Sequence, residues 1–148
     1  MATLLLDLLL PAEAGDRAHM SDIALLAARL FSAAEWADTT PGLRRLPLGY
    51  LGGGTGAGAA VLAASGPDRR IRAIVSRGGR TDLAGANALS RIRAPLQIIA
   101  GSRDLPVIGL SQAMMPLLQC AHELVLVAGA GQRFEQPGAL DQLIDHAS

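Results

Sequence analysis

The chain has 148 residues, with 13 arginines balanced by 13 acids, and half of its residues are hydrophobic although only 3% are aromatic. That length and composition fit one domain with a buried core and lack the signature of a disordered chain. No lysine occurs, which excludes Schiff-base chemistry and the lysine-dependent phosphate loop, and the even charge balance argues against a nucleic-acid binder working by bulk charge.

A single cysteine, Cys120, excludes an internal disulfide and a cysteine-rich metal site, and it points to a reducing, cytoplasmic setting. Residues 1–10 are apolar enough to suggest a signal peptide, but they have no basic start and Asp7 interrupts the leucines. No stretch approaches the length of a membrane span. In chain order, five short apolar runs read as strands: 3–9, 48–51, 71–76, 96–100 and 124–127. Most are continuous rather than alternating, as expected for strands covered on both faces. Between them lie segments of helical period. Ser21 can cap a helix that puts Ile23, Leu26, Ala27, Leu30 and Ala34 on one face. Residues 55–64, 106–118 and 137–147 also suit helices, with Pro116 bending or ending the second of these. Pro41-Gly42, Gly66-Pro67 and Gly78-Gly79 mark turns. The pattern predicts an α/β, three-layer sandwich with a mostly parallel sheet of about five strands, whose ligands gather where strand C-termini hand over to helices.

The loop after the second run is Gly52-Gly53-Gly54-Thr55-Gly56-Ala57-Gly58, and it leads directly into a helix. Two motifs compete for it. As GxGxxA, with Gly52, Gly54 and Ala57, it reads as a dinucleotide fingerprint; Arg77 after the next strand, with Arg80 close by, then implies NADP. As the nucleophile elbow GxSxG, it places glycines at 52, 54 and 56, so the serine position itself is Gly54. Close helix-to-strand packing explains such a glycine cluster without any ligand.

Blocks along the whole chain carry a resemblance that decides between them. They are Ala2-Thr3-Leu4-Leu5-Leu6-Asp7-Leu8-Leu9, the glycine loop, Val75-Ser76-Arg77-Gly78-Gly79-Arg80-Thr81-Asp82-Leu83-Ala84-Gly85, Ile99-Ala100-Gly101-Ser102-Arg103-Asp104, and Phe134-Glu135-Gln136-Pro137-Gly138-Ala139-Leu140. In these blocks the sequence resembles the α/β-hydrolase superfamily, specifically the bacterial dienelactone hydrolase-like branch sometimes fused to phosphoribosyltransferase domains. The NADP-binding protein becomes the alternative reading, beside a non-catalytic module that holds a small anion.

The resemblance implies a serine, an acid and a histidine in that order. It assigns Asp104 to the acid. Gly54 stands at the nucleophile position and Gln132, two residues before Phe134, at the base position. Glycine has nothing to attack with, and an amide does not take up a proton near neutral pH. Thr55 supplies a backbone N–H to the oxyanion hole, but its side chain is a poor substitute nucleophile. Of the histidines, His122 is expected in the turn before the last strand, His146 near the end of the final helix, and His19 in the segment after the first strand. Arg77 or Arg80 could bind a carboxylate or phosphate, whereas a pairing of one of these arginines with Asp82 would simply fix the turn. The resemblance further implies that the chain is truncated at its N-terminus, a single domain over 1–148 without the first strands. An interior strand is then missing. Residues 3–9 are therefore expected either to pair directly with 48–51 in an adjusted register or to leave an edge through which the chain forms a homodimer. The expectation is an ester- or lactone-hydrolase fold that is inactive in this form, with no cofactor or metal and neither nucleic acid nor membrane as partner.

Overall fold

The computed structural model describes residues 2–67 and 70–147. Four strands make the sheet: β1 (Leu48–Gly53), β2 (Ile71–Arg77), β3 (Leu96–Gly101) and β4 (His122–Val127). They are hydrogen-bonded side by side in chain order and are all parallel. Helices α1 (Arg17–Ser21) and α2 (Ile23–Thr39) precede β1, and α3 (Thr55–Ala64) links β1 to β2. A 3-10 turn (Thr81–Ala84) and α4 (Ala86–Arg91) link β2 to β3, α5 (Leu105–Met114) links β3 to β4, and α6 (Ala139–Ala147) follows β4.

Alternate residues of each strand point to opposite faces, and helices cover both, which is why β3 is buried along almost its whole length. On one face Ile74 and Ile98 are buried with Val61 of α3, Leu89 of α4 and Met114 of α5. On the other, Ile99 and Val127 are buried with Phe134 and with Leu143 of α6. Each such side chain contributes about 1.5–3 kcal/mol relative to an exposed one. The third cluster joins α2 to α3 through Leu26, Ala27, Ala59 and Ala63. Helix α3 is built from small residues because the backbone comes close. A Cβ on Gly58 would lie 2.9 Å from the Arg80 carbonyl oxygen.

The sheet has four strands where the sequence predicts about five. Residues 2–7 take no regular structure and are exposed, Leu5 to 96%. They do not pair with β1, in any register, among the described residues. A strand needs a hydrogen-bonding neighbour as well as apolar side chains, and this segment is held by other means. The Arg29 guanidinium donates to the Leu8 carbonyl at 2.7 Å and binds both Glu13 carboxylate oxygens at 2.6 and 2.9 Å. Leu8 and Leu9 pack beside Leu26 and Tyr50. Cavities of about 570 Å³ and 720 Å³ separate the segment from the outer edge of β1.

Smaller differences concern element ends. Asp22, not Ser21, caps α2, its Oδ1 accepting from the Leu25 N–H at 2.9 Å, and Ser21 closes α1. His122 is the first residue of β4 rather than a turn residue. Helix α5 ends at Met114, and Pro116 sits in the 3-10 turn that follows.

Candidate functional site

Four connections meet at the C-terminal edge of the sheet, and backbone hydrogen bonds lock them together. After β1 the chain turns at Gly54 (φ 52°, ψ −131°) directly into α3. This left-sided conformation is strained for any residue with a Cβ, and it turns the side-chain position outward at the helix N-terminus. A Cβ built on Gly54 would meet nothing within 4 Å, so the turn presents open space where a side chain would stand. At Gly52, by contrast, a Cβ would lie 2.6 Å from the Gly56 carbonyl oxygen. Gly52 is therefore required by packing, and Gly54 by backbone conformation. The carbonyl of Gly54 accepts the N–H groups of Ala57 at 3.3 Å and Arg80 at 2.9 Å, fastening the elbow to the loop after β2. The Thr55 N–H belongs to the first turn of α3, where amides lack an intrahelical acceptor.

That second loop is equally tight. A Cβ on Gly79 would overlap Ala57, and one on Gly78 (φ 51°) would lie 2.8 Å from the Gln132 carbonyl oxygen. Arg80 forms a two-pronged pair with Asp82, Nε and Nη2 each donating at 2.8 Å, and this guanidinium holds the Asp82 carboxyl below its usual range. Arg80 is thus engaged in fixing the turn. Arg77, at the end of β2, is exposed and lies beside Gly53, its Nε 3.6 Å from where a Gly53 Cβ would be.

After β3, Asp104 caps α5, its Oδ1 accepting from the Val107 N–H at 3.4 Å. Asp104 is only 8% exposed, and its Oδ2 is buried without a hydrogen-bond partner among the described residues. A buried carboxylate oxygen normally has a donor, so the missing partner is conspicuous. The loop after β4 packs against this one. Arg103 N–H donates to the Ala130 carbonyl at 2.9 Å, and Ser102 Oγ accepts from the Gly129 N–H at 2.8 Å. Gln132 lies in this loop with its residue exposed, so its backbone is at the site while it is open to solvent.

Sequence reasoning passed over three residues that set this geometry. Ser102 ties two loops, Gln136 Oε1 accepts the Gly131 N–H at 3.0 Å, and Phe134 is buried at φ 56°. All three fall inside the blocks that carried the resemblance, which was the available signal. The three histidines are elsewhere engaged or exposed. His19 Nδ1 sits 3.0 Å from the Asp16 carboxylate in α1, His122 Nδ1 is 2.9 Å from the Cys120 carbonyl, and His146 is exposed near the end of α6. Burial pushes the Cys120 thiol up, away from the reactive thiolate. Among the described residues no group of three or more His, Cys, Asp or Glu could hold a metal, and no helix is long and apolar enough to cross a membrane.

The arrangement is a strand-to-helix elbow, a buried acid and a loop hydrogen-bonded to the segment just before that acid, in the chain order of a hydrolase triad. No protein-family model matches the chain. A search of solved structures finds dienelactone hydrolase from Anabaena variabilis, 40% identical, at a TM-score of 0.90 over 95% of this chain and 67% of that one. An alpha-beta serine hydrolase homologue from Coxiella burnetii, 19% identical, covers 84% of this chain and 58% of its own at a TM-score of 0.71, which speaks for the fold alone. Proteins from two strains of Mycobacterium tuberculosis that carry a phosphoribosyl transferase name are 47% identical over 142 residues, 96% of this chain. The chain spans 32% of the length of these curated relatives. With the elbow, the acid loop and the match to the Anabaena enzyme together, the chain belongs to the dienelactone hydrolase-like branch of the α/β-hydrolase superfamily.

Proposed function

We propose that this chain is a non-hydrolytic hydrolase-fold domain, one that keeps the backbone frame of an ester- or lactone-cleaving site and lacks its reacting groups. One observation carries the reading: Gly54 holds the elbow conformation, with room for a side chain and none present. A second supports it. The unpartnered Oδ2 of Asp104 is what remains of an acid once the imidazole that should donate to it has become Gln132. The Thr55 N–H retains a place at one side of the oxyanion hole, but an amide donor alone neither forms nor breaks the acyl bond. In subtilisin, loss of the triad serine or histidine costs about 10⁶-fold in kcat. Here both positions are substituted, so turnover should be lower by a factor of that order.

The phosphoribosyl transferase name of the M. tuberculosis relatives belongs to proteins of which this chain matches a third. We assign the matched third to the hydrolase-fold part of those proteins and propose no transferase chemistry for it. The test is hydrolysis of p-nitrophenyl acetate by the purified chain against a heat-denatured control. We expect equal rates. Saturable turnover above the control, unchanged by Gly54→Ala or Gln132→Ala, would place a working site elsewhere and overturn the proposal.

A further inference from the structure

At the opposite end of the sheet from the elbow, a cavity of about 600 Å³ opens where α3 and α4 run into β2 and β3. Three arginines line it: Arg72 on β2, Arg91 at the end of α4, and Arg93 in the loop before β3. No acid is among its described lining residues. All three arginines are exposed, and among the described residues none forms an ion pair, whereas Arg29, Arg70, Arg80 and Arg133 each do. The imbalance is local, because the chain as a whole is neutral. A cation in the last turn of a helix complements its dipole, and that accounts for Arg91 alone. It does not explain why two further cations from other segments share the same hollow. Among the described residues no acid pairs with these three, and like charges gathered in one hollow raise the energy of the folded chain unless an anion meets them.

We propose that this hollow binds a small molecule bearing two adjacent phosphoryl groups. Planar guanidinium forks match phosphate oxygens, and two linked phosphates offer enough acceptor oxygens to engage more than one fork at once. A volume of this size is typical of small-molecule sites, and its concave shape favours such a ligand over a flat macromolecular surface. The site is separate from the elbow, so it stands or falls independently of the hydrolase reading.

Calorimetric titration of the full chain with inorganic pyrophosphate tests it, with adenosine diphosphate and orthophosphate as parallel arms. Saturable one-to-one binding of pyrophosphate is expected, weakened about tenfold by each of Arg72→Gln, Arg91→Gln and Arg93→Gln and unchanged by Arg17→Gln or Arg77→Gln. Tighter binding of adenosine diphosphate would identify a nucleotide as the bearer of the two phosphates, and equal or weaker binding would identify the free diphosphate. Because the three side chains are exposed, thermal melts should show each variant folded. No saturation, loss on Arg77→Gln instead, an equal effect of every arginine, or orthophosphate binding as tightly as pyrophosphate would overturn the proposal.

Discussion

Strand β3 and the leucine-rich residues 2–10 make a useful pair, since both are apolar and each is long enough to be a strand. β3 has hydrogen-bonded neighbours on both sides and buries Ile98 and Ile99 completely. The other segment lies across an unfilled gap from β1 and leaves Leu4, Leu5 and Leu10 more than half exposed. The difference lies in their partners rather than their composition. A strand is stabilised by what pairs with it and covers it, so an apolar run held apart from the nearest edge gains little by extending.

Truncating the same kind of side chain in each region should have very unequal effects. Ile98→Ala should lower stability by about 2–5 kcal/mol in urea unfolding, while Leu5→Ala should stay within about 0.5 kcal/mol. Similar losses at both sites would mean that residues 2–10 are packed after all. A somewhat smaller effect is expected at the elbow. Gly52→Ala drives a methyl into the Gly56 carbonyl and should cost about 1–3 kcal/mol, whereas Gly56→Ala, where a Cβ meets nothing within 4 Å, should escape that overpacking cost. The smallest effect concerns how the N-terminal segment is held. Arg29 lowers Glu13 from 4.5 to about 2, chiefly through its hydrogen bonds to the carboxylate. A depressed folded-state value favours the docked form above pH 4.5, and that contribution disappears as pH falls from about 4.5 towards 2. Proteolysis at residues 2–15 should therefore quicken across that window in the wild type and depend on pH more weakly in Arg29→Gln, where the Leu10 N–H still donates to the Glu13 carboxylate.

Much of this was legible in the residues. The apolar run at 96–100 and the largely apolar one at 71–76, alternating with helical segments, pointed to a covered parallel sheet, and the glycine loop before Thr55–Ala64 announced a tight strand-to-helix turn. The absence of the expected strand at 3–9 has a physical reason. Residues 3–9 carry the right side chains, but pairing depends on an edge that periodicity does not report, and Arg29 and Glu13, far apart in sequence, instead fasten the chain. At the site, the resemblance pointed to Gly54, Asp104 and Gln132 but could not distinguish the demand on Gly52 from that on Gly54. Only the coordinates separate a glycine demanded by a 2.6 Å approach from one demanded by a positive φ. Nor could one sequence foretell that Asp104 would be buried with one oxygen unpartnered.

The central claim is that no side chain here does the work of the absent nucleophile, Thr55 included. Incubation with a fluorophosphonate, which phosphonylates activated hydroxyls with loss of fluoride, followed by intact-mass measurement, tests this directly. The wild-type chain should remain unmodified. A stoichiometric adduct on the folded wild type, mapped to Thr55 or any other hydroxyl, would contradict the claim.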